Sequence, residues 1–238
     1  MKRSNKEIAA RRDALAEWIR DKGYQPVPEL ARRFKVSEVT MRRDLKALEL
    51  ERRVTRTHGG ALVDDNLRFA IFGVRVGVNP ERKREIGKQA VQLLQSGMSM
   101  YMDAGTTIYA VAQELKTSKL QNIRIMTPSI PIAELMAEVS GIQVFLTGGN
   151  VLAKRSCLVG DLSEVSISQW DFDIALLGAE GIDDTGLWNS NEGLVRQQRR
   201  IIRNTENIVY CLDPSKSHQS GPIFICRWEP RFRLISGA

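Results

Sequence analysis

The chain has 238 residues, 42% of them apolar and 26% charged, with a formal net charge of +7. That length suits one large domain or a small one joined to a medium one, and the apolar share excludes a disordered chain. The opening MKRSNKEIAARRDALAEWIR lacks the apolar stretch of about 7–15 residues that marks a secretory signal. No run reaches the roughly 20 apolar residues of a membrane span, so a cytoplasmic protein with no membrane partner is expected.

The charge is unevenly placed. Residues 1–60 hold 16 Lys/Arg against 9 Asp/Glu, a balance of +7, whereas residues 61–238 hold 19 of each and balance to zero. A basic excess confined to one end reads as a footprint for a polyanion or as a solvated cationic surface, and the residue pattern decides between them. Ile8, Ala9, Leu15, Trp18 and Ile19 recur at helical spacing from Lys6 to Lys22, and Gly23 stops the helix. VPELARRF predicts a second short helix from about Pro28 to Phe34, and Lys35-Val36 a brief turn. A third helix follows, with Ser37 as N-cap and Glu38 in the first turn, where the helix dipole favours an anion. Met41, Leu45 and Leu48 share its apolar back with Arg52, while Val39, Arg43 and Lys46 lie opposite, flanked by Thr40 and Arg42. RVTRTHGGALV then reads as a hairpin, with Val54, Thr55 and Thr57 before Gly59-Gly60 and Ala61 to Val63 returning. Three helices with a basic front and a hairpin wing describe a winged helix-turn-helix that binds double-stranded DNA.

The stretch VSEVTMRRDLKALELERRVTRTHGGAL strongly resembles the N-terminal signature of the DeoR family of bacterial transcriptional regulators. The resemblance implies operator binding, usually to repress sugar-metabolism genes. It places Arg42 and Arg43 on the family's paired arginines and His58, Gly59 and Gly60 on its wing. Ser37, Thr40, Arg42, Arg43, Lys46, Arg56, His58 and Gly59 are the candidate DNA-contacting residues; either arginine reads a base or clamps a phosphate.

A DNA-binding domain over 1–63 and a linker over 64–78 are therefore expected, the linker's Phe69, Ile71 and Phe72 reading as a strand or an apolar tether. From Asn79, taken as an N-cap before Pro80, an α/β domain extends to residue 238. MSMYMD, IRIMT, IQVFLTGG, FDIALLGA and NIVYCLD read as strands. Helices are predicted after Asn79, from Thr106 to Leu115, through IPIAELMAEV and through NEGLVRQQRRIIRN. This alternation argues for a mostly parallel, Rossmann-like sheet covered on both faces, with ligands at the carboxyl ends of its strands. DAGTT, TPS, LTGG and GAEGID all fall there. Gly105 lets a backbone approach closely, and Thr106 and Thr107 offer hydroxyls and amides at a helix start, which suits a phosphate. Asp103 would repel phosphate; it braces the loop or accepts from a sugar hydroxyl. Gly148-Gly149 reads as a turn or as a close ligand approach.

This half also resembles the DeoR ligand-binding domain, from about Glu81 to Lys216, whose fold is similar to pentose-phosphate isomerases and coenzyme A transferases. The resemblance implies a phosphorylated sugar or polyol effector, with Glu180, Asp183, Glu192 and Lys216 facing its hydroxyls or phosphate. Thr127, Gly148 and Gly149 complete the candidate ligand set with Asp103, Gly105, Thr106 and Thr107. Two departures stand out. SKSHQSG replaces the family's SKFG-like stretch, and the chain stops at RLISGA, so a trimmed last strand is expected.

The competing reading is an isomerase-like enzyme with an appended DNA module, using Glu180 as base and Lys216 as electrophile. No GxSxG or P-loop supports it, and the intact basic helix-turn-helix favours the sensor. His58 and His218 have no Cys or carboxylate at ligand spacing, so neither metal nor cofactor is expected. Cys157, Cys211 and Cys226 read as buried small hydrophobes in a reducing compartment. Helix-turn-helix proteins bind paired half-sites, so a homo-oligomer is expected.

Overall fold

The computed structural model describes residues 5–22, 25–51, 53–56, 60–62 and 70–237. It divides into two units, Met1–Gly77 and Val78–Ala238.

In the first unit, α1 (Asn5–Lys22) leads into β1 (Gln25–Pro26), α2 (Val27–Arg33) and α3 (Glu38–Leu50), followed by β2 (Thr55–Arg56), β3 (Gly60–Leu62) and α4 (Ala70–Val76). Leu15, Ala16 and Ile19 of α1 meet Val27, Leu30 and Ala31 of α2 and Met41, Leu45 and Leu48 of α3, with Val54 closing the core. The apolar back of α3 is thus buried as its periodicity predicts, whereas Ala9 of α1 is exposed. The wing has three strands rather than two, in the order β1-β3-β2, because Gln25–Pro26 pairs antiparallel with β3. Where a strand or tether is expected between the modules, residues 70–76 form α4, with Phe72 buried. Gly23, Arg52 and Phe69 lie outside the described residues.

The second unit runs α5 (Pro80–Val91), β4 (Ser99–Met102), α6 (Thr106–Lys116), β5 (Ile123–Thr127), α7 (Ile130–Ala137) and β6 (Ile142–Leu146). Next come β7 (Asn150–Leu152), a 3-10 turn (Ala153–Arg155), β8 (Cys157–Val159), α8 (Asp161–Ser168) and β9 (Ile174–Leu177). The hairpin of β10 (Gly181–Asp183) and β11 (Gly186–Asn189) precedes α9 (Glu192–Asn204) and β12 (Ile208–Cys211). A second 3-10 turn (Pro214–Lys216), β13 (Ile223–Cys226) and β14 (Phe232–Ile235) complete the order.

Six strands form one wholly parallel sheet, β14-β12-β9-β4-β5-β6. Strands alternate their side chains between two faces, and the cores divide accordingly. Met100, Met102, Ile125, Leu176 and Val209 pack under α5, α6 and α7, while Tyr101, Met126, Ala175, Leu177 and Tyr210 pack under α9 on the other face. The chain winds outward through β4, β5 and β6, then returns to place β9 against the free side of β4 before winding the other way. That reversal is the switch point at which such sheets bind ligands. The last strand is not trimmed: Phe232 to Ile235 pair with all four residues of β12. Asn79 stands at the N-cap position of α5 as expected but makes no side-chain cap bond; it sits in the left-handed region (φ 50°), and its amide donates to Asp213 Oδ1 at 3.2 Å. The three cysteines form no disulfide, Cys157 and Cys211 being buried and Cys226 only partly so; burial pushes the Cys211 thiol up to about 12.

Candidate functional site

Ser37 caps α3 by accepting from Thr40 N at 3.2 Å, and its hydroxyl lies 3.0 Å from that of Thr40. Arg42, Arg43 and Lys46 stand exposed on the face opposite Met41, Leu45 and Leu48. Arg42 pairs with Glu38 one turn earlier at 3.3 Å, but both side chains are half exposed, so the pair is weak enough for a phosphate or base to displace. Val39 is also 62% exposed on this face. Asp44 of the RRDL stretch is buried and accepts from Arg11 Nε at 2.7 Å and Arg12 Nε at 3.0 Å. Those two arginines therefore tie α1 to α3. Arg56 lies on β2 of the wing; His58 and Gly59 lie outside the described residues.

In the second unit the switch point joins the loops after β4 and β9 through one side chain. Asp103 is buried; its Oδ1 accepts from Ala104 N at 2.8 Å, and its Oδ2 accepts from Gly178 N at 3.1 Å and Gln198 Nε2 at 2.6 Å. Burial raises its pKa against the pull of those three donors and of the Arg155 guanidinium. Asp103 is thus a brace between β4, β9 and α9. Gly105 N-caps α6 in ordinary extended backbone (φ −80°, ψ 152°), and no side chain caps the first-turn amides. A Cβ there would meet only Ile108 Cγ1, at 3.8 Å. Neither backbone strain nor packing requires glycine at this position, so its effect is to leave space beside the helix start. Thr106 is buried and Thr107 partly exposed at the same helix start.

Other expected residues serve the loops themselves. Thr127 is fully buried and its Oγ1 accepts from Ser129 N at 3.1 Å, while Ser129 caps α7. Gly148 and Gly149 both have positive φ (74° and 106°), and a Cβ on Gly149 would lie 2.5 Å from Val159 O. The turn and the approach of β8 account for Gly149. Asp183 Oδ1 accepts from Thr185 N at 2.9 Å, Thr185 Oγ1 at 2.6 Å and Gly186 N at 3.2 Å. The Thr185 hydroxyl, foremost among these donors, holds Asp183 down to about 2. Its Oδ1 is committed to the β10–β11 turn. Glu192 stands exposed on the first turn of α9, and Lys216, half-buried, lies on the second 3-10 turn beside buried Asp213. Glu180 lies 2.5 Å from Arg155 Nη2. The structure therefore gathers Asp103, the start of α6, Glu180 and Arg155 at the switch point.

Residues 78–238 match the family model described as the DeoR C terminal sensor domain, and residues 11–66 match the DeoR-like helix-turn-helix domain. The chain belongs to the DeoR family of transcriptional regulators. The glycerol-3-phosphate regulon repressor of Escherichia coli K12 is 30% identical over 87% of this chain and 81% of its own length. The L-fucose operon activator of the same strain is 27% identical over 96% and 94%. Ribose 5-phosphate isomerase A from Methanocaldococcus jannaschii superposes with a TM-score of 0.42 at 21% identity, covering 58% of this chain and 55% of that one. This DeoR-family chain is a DNA-binding regulator whose curated relatives are transcriptional regulators. Among its described residues no helix is long and apolar enough to cross a membrane, and no group of three His, Cys, Asp or Glu residues is placed to hold a metal.

Three residues of the regulator escaped the sequence reading. Gln198 lies on the buried face of α9 among Leu194, Val195, Ile201 and Ile202, where a polar side chain signals a specific partner. Asp44, one residue before Leu45 and between Met41 and Leu48, carried the same signal. Arg155 carried none, because its partners Glu180 and Ser190 are distant in the chain.

Proposed function

We propose that this DeoR-family regulator represses carbohydrate-metabolism genes from the cytoplasm and is controlled by a phosphorylated sugar or polyol bound at the β4–β9 switch point. The observation that carries the reading is the start of α6. Its first-turn amides have no side-chain cap, and Gly105 is a glycine that neither strain nor packing requires. Free amides and the positive end of a helix dipole are an anion site. The names of two relatives, a glycerol-3-phosphate regulon repressor and an L-fucose operon activator, support a sugar or polyol as the class of ligand. Thr107, Glu180, Glu192 and Lys216 surround the ligand, and Asp103 holds the loop beneath it. On the DNA side Thr40, Arg42, Arg43 and Lys46 face the major groove, and Arg56, His58 and Gly59 of the wing meet phosphates. Residues 64–78, α4 included, link the reading module to the sensor, and two copies of the chain present two recognition helices to paired half-sites.

Gly105→Asp tests the effector site. The position tolerates a side chain, and an N-cap carboxylate satisfies the same amides that would bind phosphate. The variant should fold at least as stably as wild type, bind operator normally, and ignore the phosphorylated sugar that raises the wild-type melting temperature in a ligand screen. A variant that still answers that sugar like the wild type places the phosphate elsewhere.

A further inference from the structure

Arg155 lies on the 3-10 turn between β7 and β8. Its Nη2 is 2.5 Å from Glu180 Oε1 and donates to Ser190 Oγ at 2.6 Å. The two charged side chains are 20% and 25% exposed, so the pair is open to a ligand yet better shielded from water than a surface pair. Cys157, two residues on, packs with Ala104 and Leu194. That contact holds the Arg155 turn beside the loop that opens α6 and beside the start of α9. The same guanidinium favours the charged form of Asp103, so one cation serves two carboxylates at the switch point.

A phosphate arriving at α6 meets this arrangement at a disadvantage while Glu180 stays in place. The Glu180 carboxylate would face it, and the neighbouring guanidinium would already be neutralised. Arginine, however, forms bidentate bonds to phosphate as well as to carboxylate, and a dianion competes effectively for it.

We propose that Arg155 is an exchangeable anion clamp. The effector's phosphate displaces Glu180 from the guanidinium, and the released carboxylate turns to accept from hydroxyls of the same ligand. This rests on the reading of the α6 start as the phosphate site. It supplies what a regulator needs, two states that the ligand binds with different affinity. Without ligand, Glu180 anchors the segment leading into β10; with ligand, that anchor is released.

The test uses the full chain and inorganic phosphate as the probe, followed by calorimetric titration. Glu180→Gln removes the competing charge and should bind phosphate about tenfold more tightly than wild type, as expected for one charge-assisted contact. Arg155→Gln should bind it at least about tenfold more weakly, and Arg155→Lys should recover part of the loss. Glu180→Gln binding no more tightly than wild type, with an unchanged circular dichroism spectrum, overturns the exchange, as does Arg155→Gln binding at wild-type strength. No phosphate binding by wild type and Glu180→Gln alike overturns it too. Gly105→Asp separates the two ideas. Phosphate that still binds this variant sinks the α6 site itself, whereas loss there with an unaltered Glu180→Gln sinks only the exchange.

Discussion

Replacing Asp44 by alanine should loosen the DNA-reading unit although the side chain never faces DNA. The carboxylate is 3% exposed and accepts one bond from each of two arginines, Arg11 (10% exposed) and Arg12 (29% exposed). Removing one member of a buried ion pair costs about 3–5 kcal/mol, mostly from the charge left without a partner. The low end applies because Arg12 can turn to water, which leaves about 3 kcal/mol. A unit of the size of Met1–Gly77 holds roughly 4–12 kcal/mol in all, at about 0.05–0.15 kcal/mol per residue. The loss is therefore a large part of the total. Hydrogen exchange of the intact chain reads it directly, because amides of α1 and α3 open with the unit while those of β4 and β9 report the other one. Protection in α1 and α3 should fall by about 100-fold or more, with β4 and β9 unchanged, since 1.4 kcal/mol is about tenfold. Asp13→Ala is the control: Asp13 bonds Arg53 at 2.6 Å but is 62% exposed, and such pairs contribute less than about 1 kcal/mol. If the two variants lose protection equally, the buried fork does not hold α1 to α3.

Two further outcomes are expected. Arg42→Ala and Arg43→Ala should each weaken operator binding; one that reads a base costs about 1–3 kcal/mol at its own position, while one that clamps a phosphate lowers the salt slope by about 0.9, and equal affinity to wild type across a salt series would remove both from the interface. Asp183, held down to about 2 by the Thr185 hydroxyl, stabilises the β10–β11 hairpin fully above the unfolded carboxyl value near ~3.9, and that contribution is lost as pH falls through about 2; an amide NMR titration of Thr185 and Gly186 with a midpoint near 4 would contradict it.

The elements that could be read from the chain are those whose signal is local. Helix α3 declares itself through Ser37, Glu38 and the Met41-Leu45-Leu48 stripe, all within a dozen residues, and these are its cap and buried face. The strands β4, β5, β9 and β12 are short apolar runs between helices, as a parallel sheet buried on both faces requires. Strands of three residues, such as β7, β8 and β10, carry too few side chains for a period to emerge. Asn79 holds the N-cap position but makes no cap bond: its backbone is left-handed, and its side chain is turned to Asp213, 134 residues away.

From the sequence alone came two modules, the basic recognition helix and the glycine-threonine loop proposed for a phosphate, because propensity, capping and periodicity act within a turn or two of helix. Strand order, and with it the switch point between β4 and β9, exists only once strands pair across the chain. The roles of the charged side chains follow from that pairing. In the sequence Asp103 reads as a loop brace or as a contact to a sugar hydroxyl; its donors Gly178 and Gln198, 75 and 95 residues away, make it a brace. Arg155 carries no signal in the sequence, and only the fold stands Glu180 against it. A buried charge has to find a partner wherever the fold brings one, and that choice belongs to the tertiary structure.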